Sequence, residues 1–246
     1  MGRFSDKRIL ITGGSSGIGL AGALRIAEEG GAVGVTGRNE EHLAEARRLL
    51  PPGSPVLAND AADPAAADEL AAEVRRTGLL DGLWLNAGIA AVAAIDEVDA
   101  TFFDRMMNVN VRGPILQIAK LAEYLKPGAS VVLTSSTSAY ERAPAASVYA
   151  ATKGAILSAA RCWAAALSGR HIRVNVLVPG AIDTNFRDFM STDFRKQFED
   201  DVVSRVPLSR IGSPEEAAAV ALFLLSDEAS YVTGSQYPVD GGLTMR

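Results

Sequence analysis

Cysteine, histidine and aromatic residues are scarce in this chain of 246 residues. The single cysteine, Cys162, excludes an internal disulfide and a cysteine-based metal centre. The two histidines, His42 and His171, are too few for a zinc site, so we predict no metal and expect both to be structural or solvated. Aromatic residues make up 6% of the chain while 48% is hydrophobic, so the core must be largely aliphatic.

Positive charge and long apolar runs are also lacking. The net charge is −5 and no lysine- or arginine-rich run occurs, which argues against nucleic acid or an anionic membrane surface as a partner. No apolar stretch is long enough to span a bilayer, and no hydrophobic leader with a cleavage site precedes the first predicted strand. We therefore expect a protein that acts in the cytoplasm without a nucleic-acid or membrane partner.

The chain instead shows a regular alternation of short β-rich segments and longer helical ones. Strands are predicted at residues 8–12, 32–36, 56–60, 80–86, 129–136, 171–179 and 235–240. Apolar strands joined by helices indicate a parallel sheet of about seven strands with helices on both faces. We predict one α/β domain over residues 1–246, with a Rossmann-type doubly wound parallel sheet.

Polar residues and a proline stand where the predicted strands end. They are Thr12, Arg38, Asp60, Asn86, Ser136 and Pro179. In doubly wound sheets, ligands bind outside the carboxyl ends of the strands, where the strand order reverses. We therefore expect these residues to meet at one edge of the sheet and to form a ligand site there.

The segment TGGSSGIG (12–19) joins the first predicted strand to a helix. Gly13, Gly17 and Gly19 would allow a tight turn, close approach of a pyrophosphate and close packing of helix on strand. The helix N-terminus would then present free N–H groups and its positive dipole end to the phosphates. A turn that serves packing alone is the competing interpretation, but its place after the first strand of a βαβ unit favours a dinucleotide site.

The end of the second predicted strand favours a phosphorylated dinucleotide. An acidic residue there would hold a ribose 2′-hydroxyl, but the sequence has Gly37 and Arg38. A guanidinium suits a 2′-phosphate because it makes charge-assisted, bidentate contacts. We predict NADP(H) over NAD(H), with an incomplete preference because Ser16 supplies no second cation; a solvated Arg38 is the alternative. Asp60 would accept a hydrogen bond from the adenine amino group or cap a helix.

A serine, a tyrosine and a lysine stand in the segment SSTSAYERAPAASVYAATK (135–153). Tyr149 and Lys153 are four residues apart in a segment of helical character, so they share one helix face. An adjacent ammonium lowers the pKa of a phenol from its usual value of about 10. The pair therefore suits proton transfer near neutral pH.

Taken together, these segments resemble the short-chain dehydrogenase/reductase family nearly from end to end, from Thr12 to the closing VDGG (239–242). The turn has that family's G-x-x-x-G-x-G spacing, and LNAG (85–88) resembles its N-A-G segment. NVRG (110–113) is similar to its N-x-x-G, and PGAIDT (179–184) to its P-G-x-x-x-T. A serine thirteen positions before the tyrosine matches its serine, tyrosine and lysine pattern.

The resemblance implies a catalytic tetrad of Asn110, Ser136, Tyr149 and Lys153, with hydride transfer between a nicotinamide and a small ketone or secondary alcohol. Tyr149 would act as general acid or base, and Ser136 would stabilise charge developing on the carbonyl oxygen. Lys153 would lower the pKa of Tyr149 and hold the nicotinamide ribose. Asn110 would bend its helix and hold a water that relays protons to Lys153.

The resemblance also implies cofactor contacts, made mostly through backbone and apolar packing. Besides Tyr149 and Lys153 they are Gly13, Ser15, Ser16, Gly17, Ile18, Gly19, Arg38, Asp60, Asn86, Ala87, Gly88, Pro179, Gly180, Ile182 and Thr184. Thr184 could instead cap the following segment. Ser135 or Ser138 could replace Ser136, and Asn108 could replace Asn110, although the motif spacing favours the residues named.

The substrate site is less well defined by the sequence. Residues 184–209 correspond to the family's variable lid, in which Phe186, Phe189 and Met190 would line an apolar pocket or pack the lid on the body. Ser138 and Tyr140 follow the fifth predicted strand and are candidates for the substrate wall.

Three functions remain open at this point. The first is a carbonyl reductase or alcohol dehydrogenase that uses NAD(P)(H), and the second is a 3-oxoacyl-acyl-carrier-protein reductase. The third is a non-catalytic protein that senses NADP(H), because a fold does not fix a function; the intact tetrad argues against it. Leu116 stands where the carrier-dependent branch usually has a basic residue, and the net charge of −5 does not suit an acidic carrier, although Arg170 remains. The resemblance also implies a homotetramer.

Overall fold

The computed structural model describes residues 2–187 and 191–245, and for Arg187, Phe194 and Phe198 it describes the backbone alone. Within these residues, seven parallel strands form one sheet in the order β3-β2-β1-β4-β5-β6-β7. The strands are β1 (Arg8–Thr12), β2 (Ala32–Gly37), β3 (Val56–Ala58), β4 (Leu80–Leu85), β5 (Leu125–Thr134), β6 (Arg173–Pro179) and β7 (Gln236–Val239). The order reverses between β1 and β4, which confirms the predicted doubly wound sheet.

Helices cover both faces of this sheet, as predicted. They are α1 (Gly17–Glu28), α2 (Glu40–Leu49), α3 (Ala66–Thr77), α4 (Ala100–Met107), α5 (Gly113–Leu121), α6 (Ser147–Leu167), α7 (Thr192–Arg205) and α8 (Pro214–Leu225). Buried residues of α3, α5 and α6 pack on one face, and those of α1, α2 and α8 pack on the other. No helix in the described part of the chain is long and apolar enough to cross a membrane.

The central strands are apolar on both sides because each side meets a layer of helices. In β4, Leu83 and Leu85 belong to one core cluster and Trp84 to the other, since successive side chains of a strand point to opposite faces. Burying a leucine side chain contributes about 1.5–3 kcal/mol, so both layers hold the sheet. This packing on both faces holds the carboxyl ends of β1 to β6 in place along one edge of the sheet.

The chain is helical throughout residues 100–124, but the helix is irregular. A π-helical turn at Asn108–Arg112 separates α4 from α5, and the N–H of Gly113 donates to the carbonyl of Asn108. Pro114 lacks an N–H, so it cannot donate to the carbonyl of Asn110 four residues earlier. The proline therefore explains why the α-helical pattern is interrupted at this position.

The segment from 183 to 212, in which the sequence shows no clean hydrophobic alternation, contains helix α7. Half of the residues of this helix, TDFRKQFEDDVVSR, are charged, and they form no continuous apolar stripe. Periodicity therefore gave no signal for this helix. Phe189 and Met190 lie outside the described residues.

Candidate functional site

A cavity of about 1020 Å³ opens at the carboxyl ends of the strands. The predicted cofactor residues line it, with the exception of Gly19. A Cβ placed on Gly19 would lie 2.5 Å from the carbonyl oxygen of Gly13, so this glycine packs behind the turn and forms no part of the cavity wall. This position agrees with the close packing of helix on strand expected for Gly19, and its assignment as a cofactor contact stays a prediction.

The turn between β1 and α1 is shaped for an anion. Gly17 has a φ of 53°, and Ser16 at the N-cap makes no side-chain capping bond, so first-turn N–H groups of α1 are left for a ligand. A Cβ on Gly37 would lie 2.1 Å from Ser15 Oγ, and one on Gly13 would lie 2.7 Å from the Cα of Ala87. This close approach of three backbone segments at an open helix N-terminus fits the diphosphate of a dinucleotide.

Arg38 and Asp60 flank the outer end of the cavity. Their charged groups are 3.7 Å apart, and the guanidinium side chain is 62% exposed. Asp60 Oδ1 accepts a hydrogen bond from the N–H of Ala62 at 3.0 Å, and α3 begins only at Ala66. Asp60 therefore does not cap that helix, and it partly neutralises the cation predicted to bind a phosphate.

His42 lies in this part of the cavity, although the sequence suggested a structural or solvated role. It stands in the first turn of α2, and its Nε2 is 3.1 Å from Nδ2 of Asn185. The contact joins the helix after β2 to the start of the expected lid. No motif in the sequence indicated it, because 143 residues separate the two partners.

Lys153 is held beneath the cavity by the end of β5. Its ammonium donates to the carbonyl of Thr134 at 3.1 Å, while Ser135 Oγ donates to the carbonyl of Lys153 at 2.9 Å. The lysine is only 3% exposed, and its Nζ lies 5.6 Å from the centroid of the Tyr149 ring. The helical spacing therefore brings phenol and ammonium to one site, as expected.

The electrostatics differ from the prediction that Lys153 lowers the pKa of Tyr149. Desolvation raises the pKa of Tyr149 to about 12; Glu141 adds to the rise, and hydrogen bonding with Ser136 opposes it. Desolvation also lowers the pKa of Lys153 to about 8. The two groups share a site with little water, and there burial disfavours the charged form of each more than proximity stabilises it.

Ser136 is the serine best placed beside Tyr149. Its Oγ accepts a hydrogen bond from the N–H of Ser138 at 3.2 Å and donates to Ser138 Oγ at 3.3 Å. The buried hydroxyl of Ser135 is used by the carbonyl of Lys153, so that residue is not a competitor. Ser138 also lines the cavity, as predicted for the substrate wall.

Asn110 lies behind the cavity wall and connects two elements of the site. Its Oδ1 accepts from the N–H of Ile89 at 2.8 Å, and its Nδ2 donates to the carbonyl of Ile89 at 2.9 Å and to Thr152 Oγ1 at 3.1 Å. Thr152 in turn donates to the carbonyl of Tyr149 at 2.7 Å. Both hydrogens of Nδ2 are thus used, and the side chain fixes the loop after β4 to the helix that carries Tyr149.

The part of the cavity wall where the sequence predicted substrate contacts includes further residues that it did not predict. Phe186 lines the cavity with its ring centroid 6.3 Å from that of Tyr149, and Tyr140 donates to Oε1 of Gln236. Glu141, which sequence reasoning missed, also lines the cavity; its half-buried carboxylate lies 3.5 Å from the guanidinium of Arg205 on α7. The pair connects the loop after β5 to the lid segment.

The C-terminal segment forms a further wall that the sequence did not predict. Residues 243–245 line the cavity, and the carboxylate of Asp240 fixes their course. It accepts from the N–H groups of Gly242 and Thr244, both at 2.9 Å, and from Thr244 Oγ1 at 2.6 Å. In the sequence, the VDGG segment marked only the end of the family resemblance. In the structure its aspartate shapes the site.

Known proteins match this chain over nearly its whole length. The family model described as enoyl-(acyl carrier protein) reductase matches residues 13–244. Oxidoreductase asL5 of Sarocladium schorii is 37% identical over 245 residues, which cover 98% of this chain and 97% of that protein. The 3-oxoacyl-(acyl-carrier-protein) reductase FabG of Thermotoga maritima is 35% identical over 249 residues, covering 99% of this chain and 100% of the relative.

A solved structure agrees with this match. The short-chain dehydrogenase/reductase of Brucella melitensis described as a glucose/ribitol dehydrogenase has a TM-score of 0.93 at 30% identity. The alignment covers 100% of this chain and 99% of that one. The chain therefore belongs to the short-chain dehydrogenase/reductase family and is an oxidoreductase that uses a nicotinamide cofactor to interconvert alcohols and ketones.

Proposed function

We propose that the protein is a carbonyl reductase or alcohol dehydrogenase that prefers NADP(H) and acts on a small free ketone or secondary alcohol. The observation that carries this proposal is the shared cavity. Ser136, Tyr149 and Lys153 line it together with the open N-terminus of α1. A dinucleotide whose phosphates lie at that N-terminus would have its other end near these three side chains.

Tyr149 serves as the general acid in reduction. In oxidation its phenolate is the base, and a pKa of about 12 makes that form available only at alkaline pH. The nicotinamide, when bound, supplies or accepts the hydride. Because desolvation holds the pKa of Tyr149 at about 12, the phenol keeps its proton at neutral pH and can give it to the oxygen of the reduced carbonyl. Ser136 donates a hydrogen bond to that oxygen as its negative charge develops.

Lys153 and Asn110 support the proton transfer by Tyr149. Lys153 Nζ, held by the carbonyl of Thr134, has further hydrogens for the ribose hydroxyls of the cofactor. Asn110 positions Tyr149 through Thr152. The main-chain carbonyl of Asn110 receives no α-helical hydrogen bond from Pro114, which has no N–H, and is therefore a suitable acceptor for the relay water. The side chain of Asn110 has no remaining donor for that water.

The preference for NADP(H) is supported by Arg38. Its exposed guanidinium stands at the end of β2, and no acidic side chain follows Gly37 to hold a 2′-hydroxyl. The ion pair with Asp60 weakens this preference but is long at 3.7 Å, so a 2′-phosphate would compete well for the cation. Asp60 itself is proposed as an acceptor for the adenine amino group.

A carrier-dependent 3-oxoacyl reductase is the second candidate, because a relative of that name and the matching family model both refer to acyl carrier protein. The remaining basic residue for an acidic carrier, Arg170, donates to the main-chain carbonyls of Ala122 and Leu125. Two of its five N–H donors are therefore engaged within the protein, and Leu116 supplies no replacement. This contact favours a free substrate.

Assembly, location and the lid complete the proposal. We propose a homotetramer in the cytoplasm, a single domain over residues 1–246, and a lid over 184–209 that includes Phe186. Phe189 and Met190 are assigned to the same lid on the sequence alone. Light scattering of the purified protein would test the tetramer, and a mass of one or two chains would contradict it.

The experiment that tests the function is a panel of uncharged ketones, secondary alcohols and a carrier-linked 3-oxoacyl thioester with both cofactors, followed at the nicotinamide absorbance. We expect turnover, with a higher kcat/KM for NADPH than for NADH. Cofactor binding without turnover across the panel would favour the sensor. Turnover restricted to carrier-linked 3-oxoacyl groups would favour the second candidate.

A further inference from the structure

A chain of hydrogen bonds runs beneath the cavity from the core to the phosphate-binding turn. Trp84 Nε1 donates to Thr134 Oγ1 at 2.9 Å, and Thr134 Oγ1 donates to Asn86 Oδ1 at 2.9 Å. Asn86 Nδ2 then donates to the carbonyl of Gly13 at 3.0 Å. The indole is a donor only and the threonine hydroxyl has one hydrogen, so the direction of each bond is fixed.

The same threonine holds Lys153 through its main chain. The main-chain carbonyl of Thr134 accepts a hydrogen bond from the ammonium of Lys153 at 3.1 Å. The next residue, Ser135, donates from its hydroxyl to the main-chain carbonyl of the same lysine. A shift of the Thr134 main chain therefore moves the acceptor of the Lys153 ammonium.

Trp84 also touches the helix that follows the phosphate turn. Its indole is fully buried, and a Cβ placed on Gly22 of α1 would lie 2.4 Å from the ring. The absence of a side chain at Gly22 is what lets the helix lie against the indole. One side chain thus packs on α1 and hydrogen-bonds the residue that holds Lys153.

We propose that Trp84 and Thr134 are positioning residues that couple the phosphate-binding turn to Lys153. Trp84 is fully buried, whereas Thr134 lines the cavity beside Lys153. Trp84 orients the hydroxyl of Thr134, and this hydroxyl in turn orients Asn86 toward the carbonyl of Gly13. The main-chain carbonyl of Thr134 holds the ammonium of Lys153. The proposal rests on the role given to Lys153 above, but its first test is cofactor binding, which does not require turnover.

Loss of one member leaves a buried donor or acceptor unpaired, so the remaining members must rearrange. Thr134→Val keeps the shape of the side chain and removes both of its hydrogen bonds, whereas Thr134→Ser retains the hydroxyl. Trp84→Phe retains a buried ring and removes only the indole donor. Trp163→Phe is the matched control, because Trp163 packs on the opposite core cluster.

The test measures the NADPH dissociation constant, the pH profile of kcat/KM and the melting temperature for these four variants. We expect Thr134→Val to raise the dissociation constant about tenfold and to displace the pH profile, because a buried bonded pair is lost. Thr134→Ser should restore both, Trp84→Phe should cause a smaller change in the same direction, and Trp163→Phe should cause none.

A purely structural role would give a different result. Thr134→Val and Trp84→Phe would then lower the melting temperature and leave the dissociation constant and the pH profile at wild-type values, and the coupling would be refuted. If Thr134→Val does not fold, Trp84→Phe decides by the same two measurements. Absence of turnover in the wild-type protein would overturn the proposed function, while the binding data would still test the coupling.

Discussion

The part of the cavity proposed for the cofactor and the part proposed for the substrate are built in different ways. The cofactor half, formed by the turn at 13–19 and the ends of β4 and β5, is fixed by partly buried hydrogen bonds such as those of Asn86 and Thr134. The substrate half, formed by residues 138–146, the lid and the C-terminal segment, is joined by contacts near the surface such as the Glu141–Arg205 ion pair. Surface ion pairs contribute about 0–1 kcal/mol each, so this half can change at little expense in stability.

This difference suggests a division of labour within one site. A network in which the Trp84 indole and the Thr134 hydroxyl each have an assigned acceptor tolerates few arrangements, which suits a cofactor of constant shape. A rim of exposed side chains can adopt several arrangements, which suits selection among substrates. Substitutions in the cofactor half should therefore have large effects on turnover or binding, and substitutions in the substrate half should have small ones.

Tyr149→Phe, at the junction of the halves, should have the largest effect. Removing the phenolic proton should lower kcat by about a thousandfold, within the range of general acid–base catalysis, while NADPH still binds. Steady-state kinetics and a fluorescence titration would measure the two quantities. Tyr231→Phe, at a fully exposed tyrosine, is the control and should leave both unchanged. Retained turnover in Tyr149→Phe would refute the proposed acid.

Arg38→Asp tests whether Arg38, in the cofactor half, binds the 2′-phosphate of NADP(H). A charge-assisted hydrogen bond contributes about 1.5–3 kcal/mol, so the ratio of kcat/KM for NADPH to that for NADH should fall by about 10- to 100-fold. Arg75→Asp, an exposed arginine on α3 away from the cavity, is the matched control. An unchanged ratio in Arg38→Asp would contradict the phosphate assignment and leave Arg38 as a solvated charge.

The cofactor half is also the part that the sequence predicted best. Gly13, Gly17 and the tyrosine–lysine spacing act through backbone geometry and helical period, and both are local properties of the chain. For Gly19 the motif leaves two roles open, because its spacing does not distinguish a glycine that contacts a ligand from one that packs behind the turn. The lowered pKa expected for Tyr149 was wrong because desolvation depends on the whole fold and not on the neighbour at four residues' distance.

The unpredicted residues all depend on long-range contacts. Thr134 meets Trp84 from 50 residues away, and His42 meets Asn185 across 143 residues. Helix α7 escaped prediction because its charged sequence has no apolar stripe, so its position depends on tertiary contacts such as those of the buried Val202. In each case the local sequence holds only one partner of the interaction.

Lys153→Met measures the burial of charge in the cofactor half. The folded-state pKa of about 8 lies below the ordinary value, so between pH 8 and 10.5 the unfolded chain binds more protons and wild-type stability rises with pH. From pH 7 to 9.5 the gain relative to Lys153→Met should be about 2 kcal/mol, at about 1.4 kcal/mol for each unit of pKa. Urea unfolding at the two pH values measures it, and a constant difference between the proteins would show that the ammonium is not desolvated.

Glu141→Gln should have the smallest effect and tests the substrate half directly. The Glu141 carboxylate raises the pKa of Tyr149, so its neutralisation should lower that pKa and shift the pH profile of alcohol oxidation toward lower pH by less than about one unit. Stability should change by less than about 1 kcal/mol, because the pair with Arg205 is partly exposed. Glu69→Gln, at an exposed position on α3, is the control. A loss of turnover as large as that of Tyr149→Phe would make Glu141 part of the fixed machinery, and the contrast between the two halves would no longer hold.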